Sequence, residues 1–169
     1  LLTEGKTARI RIQTSTPSTV TVSLLGQTPP VITESETSYV ALLPVPLGTA
    51  PEVYPLALTI SPVDGSPPDT LTLNVQVLNG GYGSQFITLP ADRLNLVDIN
   101  IENAEVAILT GVMPFNFERY YSGTMSLPAA APMNAPYGAF RAYNGGPFDR
   151  YHTGADFAGA TGTPILAAE

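Results

Sequence analysis

Apolar and polar residues alternate along the first half of the chain. In residues 8–12, for example, Ala8, Ile10 and Ile12 fall on one face of an extended backbone and two arginines fall on the other. Strict alternation is typical of a half-buried β-strand, because successive side chains point to opposite faces of a sheet. The same pattern recurs in residues 20–24, 54–60 and 71–77, and over shorter stretches in residues 31–33 and 38–43. Each of these stretches is therefore predicted to be a strand.

Turn-forming residues separate the predicted strands. Gly26-Gln27, Gly48-Thr49 and the Asp-, Gly- and Pro-rich residues 64–69 interrupt the alternation. Many short strands joined in this way are typical of an antiparallel β-sandwich of the immunoglobulin type, although the Cys–Trp–Cys pattern of antibody domains is absent. Such a module is either a spacer or a surface that binds carbohydrate or protein, and the pattern leaves both interpretations open.

The periodicity changes after residue 78. Residues 79–84, Asn-Gly-Gly-Tyr-Gly-Ser, predict a hinge, and residues 86–89 predict a short strand. Apolar residues then recur at helical spacing over residues 97–112. This spacing predicts a helix with Asp98 or Asn100 as its N-cap, and Pro114 is expected to end it.

These patterns divide the chain into two predicted regions and a remainder. Residues 1–90 are predicted to form the sandwich, and residues 91–131 a helix followed by a Pro- and aromatic-rich linker. Residues 132–169 are the remainder, and their last six residues, Pro-Ile-Leu-Ala-Ala-Glu, are typical of a strand that is cut short.

Composition removes several function classes. Only 12% of the residues are charged and the net charge is −7, so seven scattered Lys and Arg residues give no basic surface for nucleic acid. The apolar runs are short and are broken by Pro and Gly, so no transmembrane helix is predicted. The chain has no cysteine, which excludes disulfides, thiol nucleophiles and thiolate metal ligands.

The candidate chemistry centres on the one histidine of the sequence. His152 is followed four residues later by Asp156, with Gly154 between them, and no G-x-S-x-G motif is present. Imidazole and carboxylate are both normal zinc ligands, and glycine permits a close approach of the backbone. A catalytic zinc site takes three protein ligands, so the pair supplies only part of one. A hydrogen-bonded structural pair is the alternative.

Three segments around this pair occur in a specific order. They are Asn-Ala-Pro-Tyr-Gly-Ala-Phe-Arg at residues 134–141, His-Thr-Gly-Ala-Asp-Phe at residues 152–157 and Gly-Thr-Pro-Ile-Leu-Ala at residues 162–167. This order resembles the opening of the lysostaphin-type zinc endopeptidases. The resemblance covers roughly residues 132–169, and some members of that family carry a β-sandwich and a linking helix before the peptidase domain. The expected fold is therefore mainly β: an immunoglobulin-like antiparallel β-sandwich, a short linking helix and the first strands of a lysostaphin-type, β-rich peptidase domain.

The resemblance also implies roles for individual residues. His152 and Asp156 would be the first and second zinc ligands, and Arg141 and Tyr137 fall at motif positions near the groove, where they would orient or pack. The family's third ligand and its general-base histidine come from a later H-x-H motif, which the 169 residues do not contain. No catalytic residue is therefore expected within this chain, and the zinc site is expected to be incomplete. We expect these 169 residues alone to bind zinc weakly and to be inactive.

The function that the resemblance implies belongs to a longer parent protein. That protein would be a zinc metalloendopeptidase that cleaves the peptide cross-links of bacterial peptidoglycan, and it would work outside the cytoplasm. The alternative is a non-catalytic module that binds the wall or regulates other wall hydrolases, because some family members have lost zinc ligands. The intact His152 and Asp156 favour the enzyme.

Overall fold

The computed structural model describes residues 1–113, 118 and 120–168. Contacts between Cα atoms divide the chain into two compact units, Leu1–Gly81 and Tyr82–Glu169. The predicted domain bounds at residues 90 and 131 remain predictions. The strand that the sequence predicts at residues 86–89 is found at residues 84–87, and it lies in the second unit, where it pairs with a strand at residues 140–143.

The first unit contains seven strands in two sheets. The strands are β1 (Leu2–Thr3), β2 (Thr7–Gln13), β3 (Ser18–Ser23), β4 (Val31–Ser35), β5 (Ser38–Pro44), β6 (Val53–Pro62) and β7 (Asp69–Leu78). One sheet has the order β1-β7-β6-β3 and the other the order β2-β5-β4. All pairs are antiparallel except β1 with β7, which is parallel. The mainly β fold is thus confirmed. The parallel strand β1 departs from the expected antiparallel arrangement, and the sequence did not reveal it because two residues are too few to show a period-two pattern.

Alternating apolar residues of the two sheets meet in one core. In β3, Val20 and Val22 are buried while Thr19 and Thr21 are exposed, as the alternation predicts. The core combines residues from both sheets: Leu2, Ile12, Val20, Val22, Leu24, Tyr39, Ala41, Leu43, Val45, Leu56, Leu58 and Val77. Complete burial of each such side chain contributes about 1.5–3 kcal/mol, so this shared core is the main source of the unit's stability.

The apolar stripe of β7 is only partly covered. Val77 is fully buried, but Leu71 and Leu73 keep 48% and 45% of their surface exposed. The sequence pattern predicts one continuous inward-facing stripe over residues 71–77, and the structure differs from it at these two leucines. The reason is the shortness of β1, which pairs with only the last two residues of β7 and leaves the rest of that strand as an edge.

The second unit has a different architecture. A three-stranded sheet has the order β11-β10-β8, built from β8 (Ser84–Ile87), β10 (Phe140–Tyr143) and β11 (Phe148–Tyr151). A two-stranded sheet pairs β9 (Met133–Ala135) with β12 (Asp156–Phe157). β8 runs parallel to β10, and β10 is antiparallel to β11. These short strands place the residues that follow β11 beside the start of β12.

The predicted helix is present. A 3-10 helix, Ala91–Val97, leads into α1 (Ile99–Val112), and the Asp98 carboxylate caps α1 by accepting a hydrogen bond from the Asn100 N–H at 2.8 Å. Pro114, expected to end the helix, lies outside the described residues. Every residue of α1 is described and none is buried, so its apolar spacing does not reflect burial within the second unit. Across the described part of the chain, neither helix combines the length and the hydrophobicity needed to cross a bilayer.

Candidate metal centre

His152 is held in place by the backbone on both sides. It directly follows β11, and its N–H donates to the Ala139 carbonyl at 2.8 Å while its own carbonyl accepts from the Gly138 N–H at 2.7 Å. Its side chain is 9% exposed. The hydrogen bonds between β10 and β11 therefore continue to His152 and fix the position of its backbone, from which the imidazole projects.

Asp156 comes from the neighbouring two-stranded sheet. It pairs with Ala135 of β9, and a register irregularity follows it in β12. Residues 153–155 form the short connection back from His152, and a Cβ added to Gly154 would lie an ordinary 3.6 Å from His152 Nε2. The glycine therefore permits the close approach of the two side chains, and an alanine at this position would also fit.

The two side chains meet with their metal-binding atoms together. His152 Nε2 lies 3.2 Å from Asp156 Oδ1, and His152 Nδ1 lies 3.0 Å from the Pro136 carbonyl oxygen. A carbonyl oxygen can only accept a hydrogen bond, so Nδ1 carries a proton and donates a hydrogen bond to the Pro136 carbonyl. In the neutral imidazole, Nε2 then has no proton, and its lone pair faces the carboxylate and could bind a metal.

This arrangement fits two ligands of one zinc ion. Ligand atoms about 2.0–2.2 Å from a tetrahedral zinc lie about 3.3 Å from each other, close to the observed separation of Nε2 and Oδ1. A backbone carbonyl that holds the second ring nitrogen is also the usual support for a metal-binding histidine. An imidazolium–carboxylate ion pair is the other state that the same geometry permits, because a proton can take the place of the metal.

Arg141 joins the pair and Tyr137 does not. Arg141 Nη2 lies 3.3 Å from Asp156 Oδ2, and its Nε donates to Gln85 Oε1 at 3.1 Å. Tyr137 packs edge-on against Tyr82, with ring centroids 5.8 Å apart. Of the residues that the sequence indicates, the structure therefore brings together His152, Asp156 and Arg141, and it gives Tyr137 a packing contact.

The site also contains groups that the sequence analysis did not identify. Gln85 lies more than fifty residues before Arg141 and reaches it only because β8 and β10 pair in register, Gln85 opposite Arg141. The Pro136 carbonyl is a backbone group without a sequence signature. Among the described residues, no group of three or more His, Cys, Asp or Glu side chains is placed to hold a metal ion. The described part of the site is thus one His–Asp pair with its supporting groups.

Two cavities flank the pair. One of about 370 Å³ adjoins Asp156 and is lined largely by small residues, among them Ala129, Ala155, Gly159 and Ala160. The other, of about 350 Å³, adjoins His152 and lies between the sheet and α1. The first cavity leaves space for an unbranched chain with small side chains beside Asp156.

Comparison with known proteins gives a likeness at the level of structure. No family model matches the sequence, and no curated protein matches it. A crystal structure of a candidate peptidase M23 from Pseudomonas aeruginosa superposes with a TM-score of 0.53 and 21% sequence identity. The two share a fold. The match covers 98% of this chain and 59% of the Pseudomonas chain, so this chain spans little more than half the length of the protein that it resembles.

Proposed function

We propose that this chain belongs to a zinc-dependent endopeptidase in which His152 and Asp156 are two of the three protein zinc ligands. The observation that carries the proposal is the pairing of Nε2 with Oδ1 at 3.2 Å while Nδ1 faces a carbonyl. The motif order over residues 134–167 gives the same two ligands by resemblance. The structural neighbour is named as a peptidase, which is the same reaction class.

The residues of this chain prepare the site rather than complete it. Pro136 fixes the tautomer of His152, and the buried position of the imidazole limits its rotation. Bound zinc would polarise a peptide carbonyl and lower the pKa of a bound water. In this proposal the third ligand and the group that accepts the proton from water belong to an H-x-H motif, which these residues do not contain.

The substrate that we propose is the peptide cross-link of bacterial peptidoglycan, which places the protein outside the cytoplasm. The family resemblance implies this class. The cavity beside Asp156 supports it, because the small residues Ala129, Ala155, Gly159 and Ala160 line part of it and leave room for short chains of glycine or alanine. By itself the 169-residue chain would bind zinc weakly and would not hydrolyse this substrate, since two ligands leave the metal without its full protein coordination.

The proposal is tested in a protein that carries this chain together with an H-x-H segment. Hydrolysis of a glycine or alanine cross-link peptide should require zinc, should stop with a chelator, and should fall by more than about 100-fold in His152→Ala and in Asp156→Ala. Asp149→Ala is the matched control, because this carboxylate lies on β11 and is exposed to a similar degree. Hydrolysis that survives both ligand substitutions would contradict the proposal.

One observation favours a second candidate, a non-catalytic module that binds the wall or regulates its hydrolases. It is the lack of a third ligand among the described residues. Sedimentation of the protein with purified peptidoglycan, without release of peptide, would support this alternative.

A further inference from the structure

The two oxygens of the Asp156 carboxylate have different partners. Oδ1 faces His152 Nε2 at 3.2 Å, and Oδ2 lies 3.3 Å from Arg141 Nη2. The Asp156 side chain is 57% exposed, whereas the Arg141 side chain is 15% exposed. The fixed member of this ion pair is therefore the arginine, and the carboxylate is the member that would otherwise rotate.

The position of the guanidinium is itself determined on its other side. Arg141 lies in β10 opposite Gln85 of β8, and its Nε donates to the Gln85 side-chain oxygen at 3.1 Å. Because a guanidinium is planar, holding Nε fixes the direction in which Nη2 points. A chain of contacts thus leads from β8 through Arg141 to Asp156 and His152.

We propose that Arg141 is a positioning residue that occupies Asp156 Oδ2 and so presents Oδ1 alone to His152 Nε2. If zinc were bound, Asp156 would offer it one oxygen, and a position would stay open for the water or substrate that a catalytic zinc needs. The part of this inference that concerns zinc rests on the proposed function. The part that concerns the carboxylate orientation does not.

The chain offers a matched control for this role. Arg150 lies on β11 directly opposite Arg141, its side chain is 21% exposed, and it pairs with Glu102 at 3.1 Å rather than with Asp156. Replacement of either arginine by glutamine removes the same charge from neighbouring strands of one sheet. Arg141→Lys is a further variant, because lysine keeps the charge but cannot contact Gln85 and Asp156 with one planar group.

The first measurement is made without metal on the isotopically labelled 169-residue protein. Three-bond couplings of Asp156 report whether its side chain holds one χ1 rotamer, the torsion that carries the whole carboxylate toward or away from Arg141 and His152. We expect Asp156 to hold one rotamer in the unsubstituted 169-residue chain and in Arg150→Gln. In Arg141→Gln and Arg141→Lys we expect its couplings to be averaged over several rotamers. The dispersion of the amide spectrum checks that each variant is folded, and couplings that stay unchanged in a folded Arg141→Gln would overturn the proposal.

The second measurement adds Zn²⁺ and follows the ring nitrogens of His152. We expect the zinc dissociation constant to rise by about 10-fold or more in Arg141→Gln, as is usual when the partner of a ligating carboxylate is lost, and to change by less than about 2-fold in Arg150→Gln. Equal affinities in these two variants would overturn the role of Arg141 toward the metal. If the unsubstituted 169-residue chain shows no zinc effect at His152 while Arg141→Gln still frees Asp156, the His152–Asp156 zinc pair of the proposed function fails and the positioning of Asp156 stands.

Discussion

At the scale of single residues, Gly138 is a glycine of the second unit that has no room for a side chain. Its φ is +86°, and a Cβ added there would overlap the ring of Tyr82. The left-handed backbone disfavours any side chain, and the Tyr82 ring would in addition have to move.

We predict that Gly138→Ala lowers the free energy of unfolding by more than the about 1–3 kcal/mol expected for backbone strain alone. Gly145→Ala is the control, because Gly145 has a φ of +76° but nothing lies within 4 Å of an added Cβ. Urea unfolding of both variants separates the two effects. Equal losses would mean that the Tyr82 ring moves aside at no cost.

Asp64 supplies a test at acid pH. Its carboxylate accepts a hydrogen bond from the Ser66 N–H at 2.9 Å, and this bond, followed by one from the Ser66 side chain, holds the pKa of Asp64 below its ordinary value of 3.8. A lowered pKa means that the ionised form stabilises the folded state. The contribution is fully present above the pKa of the unfolded chain, about 3.9, and is lost as the pH falls through the lower folded-state pKa.

We therefore predict that the Asp64 carboxyl carbon titrates by NMR with a midpoint below 3.8, and that Ser66→Ala raises this midpoint part of the way toward it. The backbone N–H remains in that variant, so the full rise is not expected. A midpoint at or above the ordinary value in the parent protein would show that the turn does not hold the carboxylate in solution.

The residues of the site differ in how far the sequence could predict them. The motif order indicates His152, Asp156 and Arg141, and the structure places these three side chains in contact. Gln85 and the Pro136 carbonyl could not be predicted, because one depends on strand register and the other on a backbone position. The role of the pair as zinc ligands stays a prediction.

At the scale of elements, the strands of the first unit follow from local pattern and their burial does not. Leu58 and Leu71 face each other across β6 and β7 and have the same place in the alternation, yet Leu58 is 5% exposed and Leu71 is 48% exposed. The difference comes from the neighbouring sheet and from the short β1, neither of which the alternation encodes.

This pair gives a direct test of the core. Leu58→Ala should lower the free energy of unfolding by about 2–5 kcal/mol, because it leaves a cavity in the buried cluster. Leu71→Ala should cost less than about 1 kcal/mol, because water already reaches its side chain. Denaturant unfolding measures both losses. Similar losses would place Leu71 inside the core and contradict the edge position of β7.

The helix α1 likewise follows from local pattern, whereas its burial does not. Its presence was predictable from spacing, and capping chemistry left Asp98 and Asn100 as candidates for the N-cap, of which the structure has Asp98. The exposure of its apolar residues was not predictable, because burial depends on what packs against a helix rather than on its own sequence. In the same way, the parallel pairing of β8 with β10 joins segments separated by more than fifty residues and has no local signal.

At the scale of the whole molecule, the sequence correctly indicated a mainly β chain. The structure divides it into the units Leu1–Gly81 and Tyr82–Glu169, and the predicted domain bounds at residues 90 and 131 stay predictions. The likeness to the Pseudomonas structure is one of fold, at 21% identity. A likeness of fold alone does not establish an activity, so the function has to be inferred from the residues of the site. In the described part of the site, Nε2 of the His152 imidazole faces Oδ1 of the Asp156 carboxylate. The central claim of the account is that these two atoms bind one zinc ion.

The most direct test of that claim is a Zn²⁺ titration followed at the ring nitrogens of His152. The sequence has a single histidine, so the two imidazole signals need no further assignment to a residue. The account predicts a saturable shift of Nε2 on addition of zinc while Nδ1 stays hydrogen-bonded to the Pro136 carbonyl, and clear weakening of that shift in Asp156→Asn. A ring that does not respond to zinc, or that binds it equally well without the Asp156 carboxylate, would contradict the account.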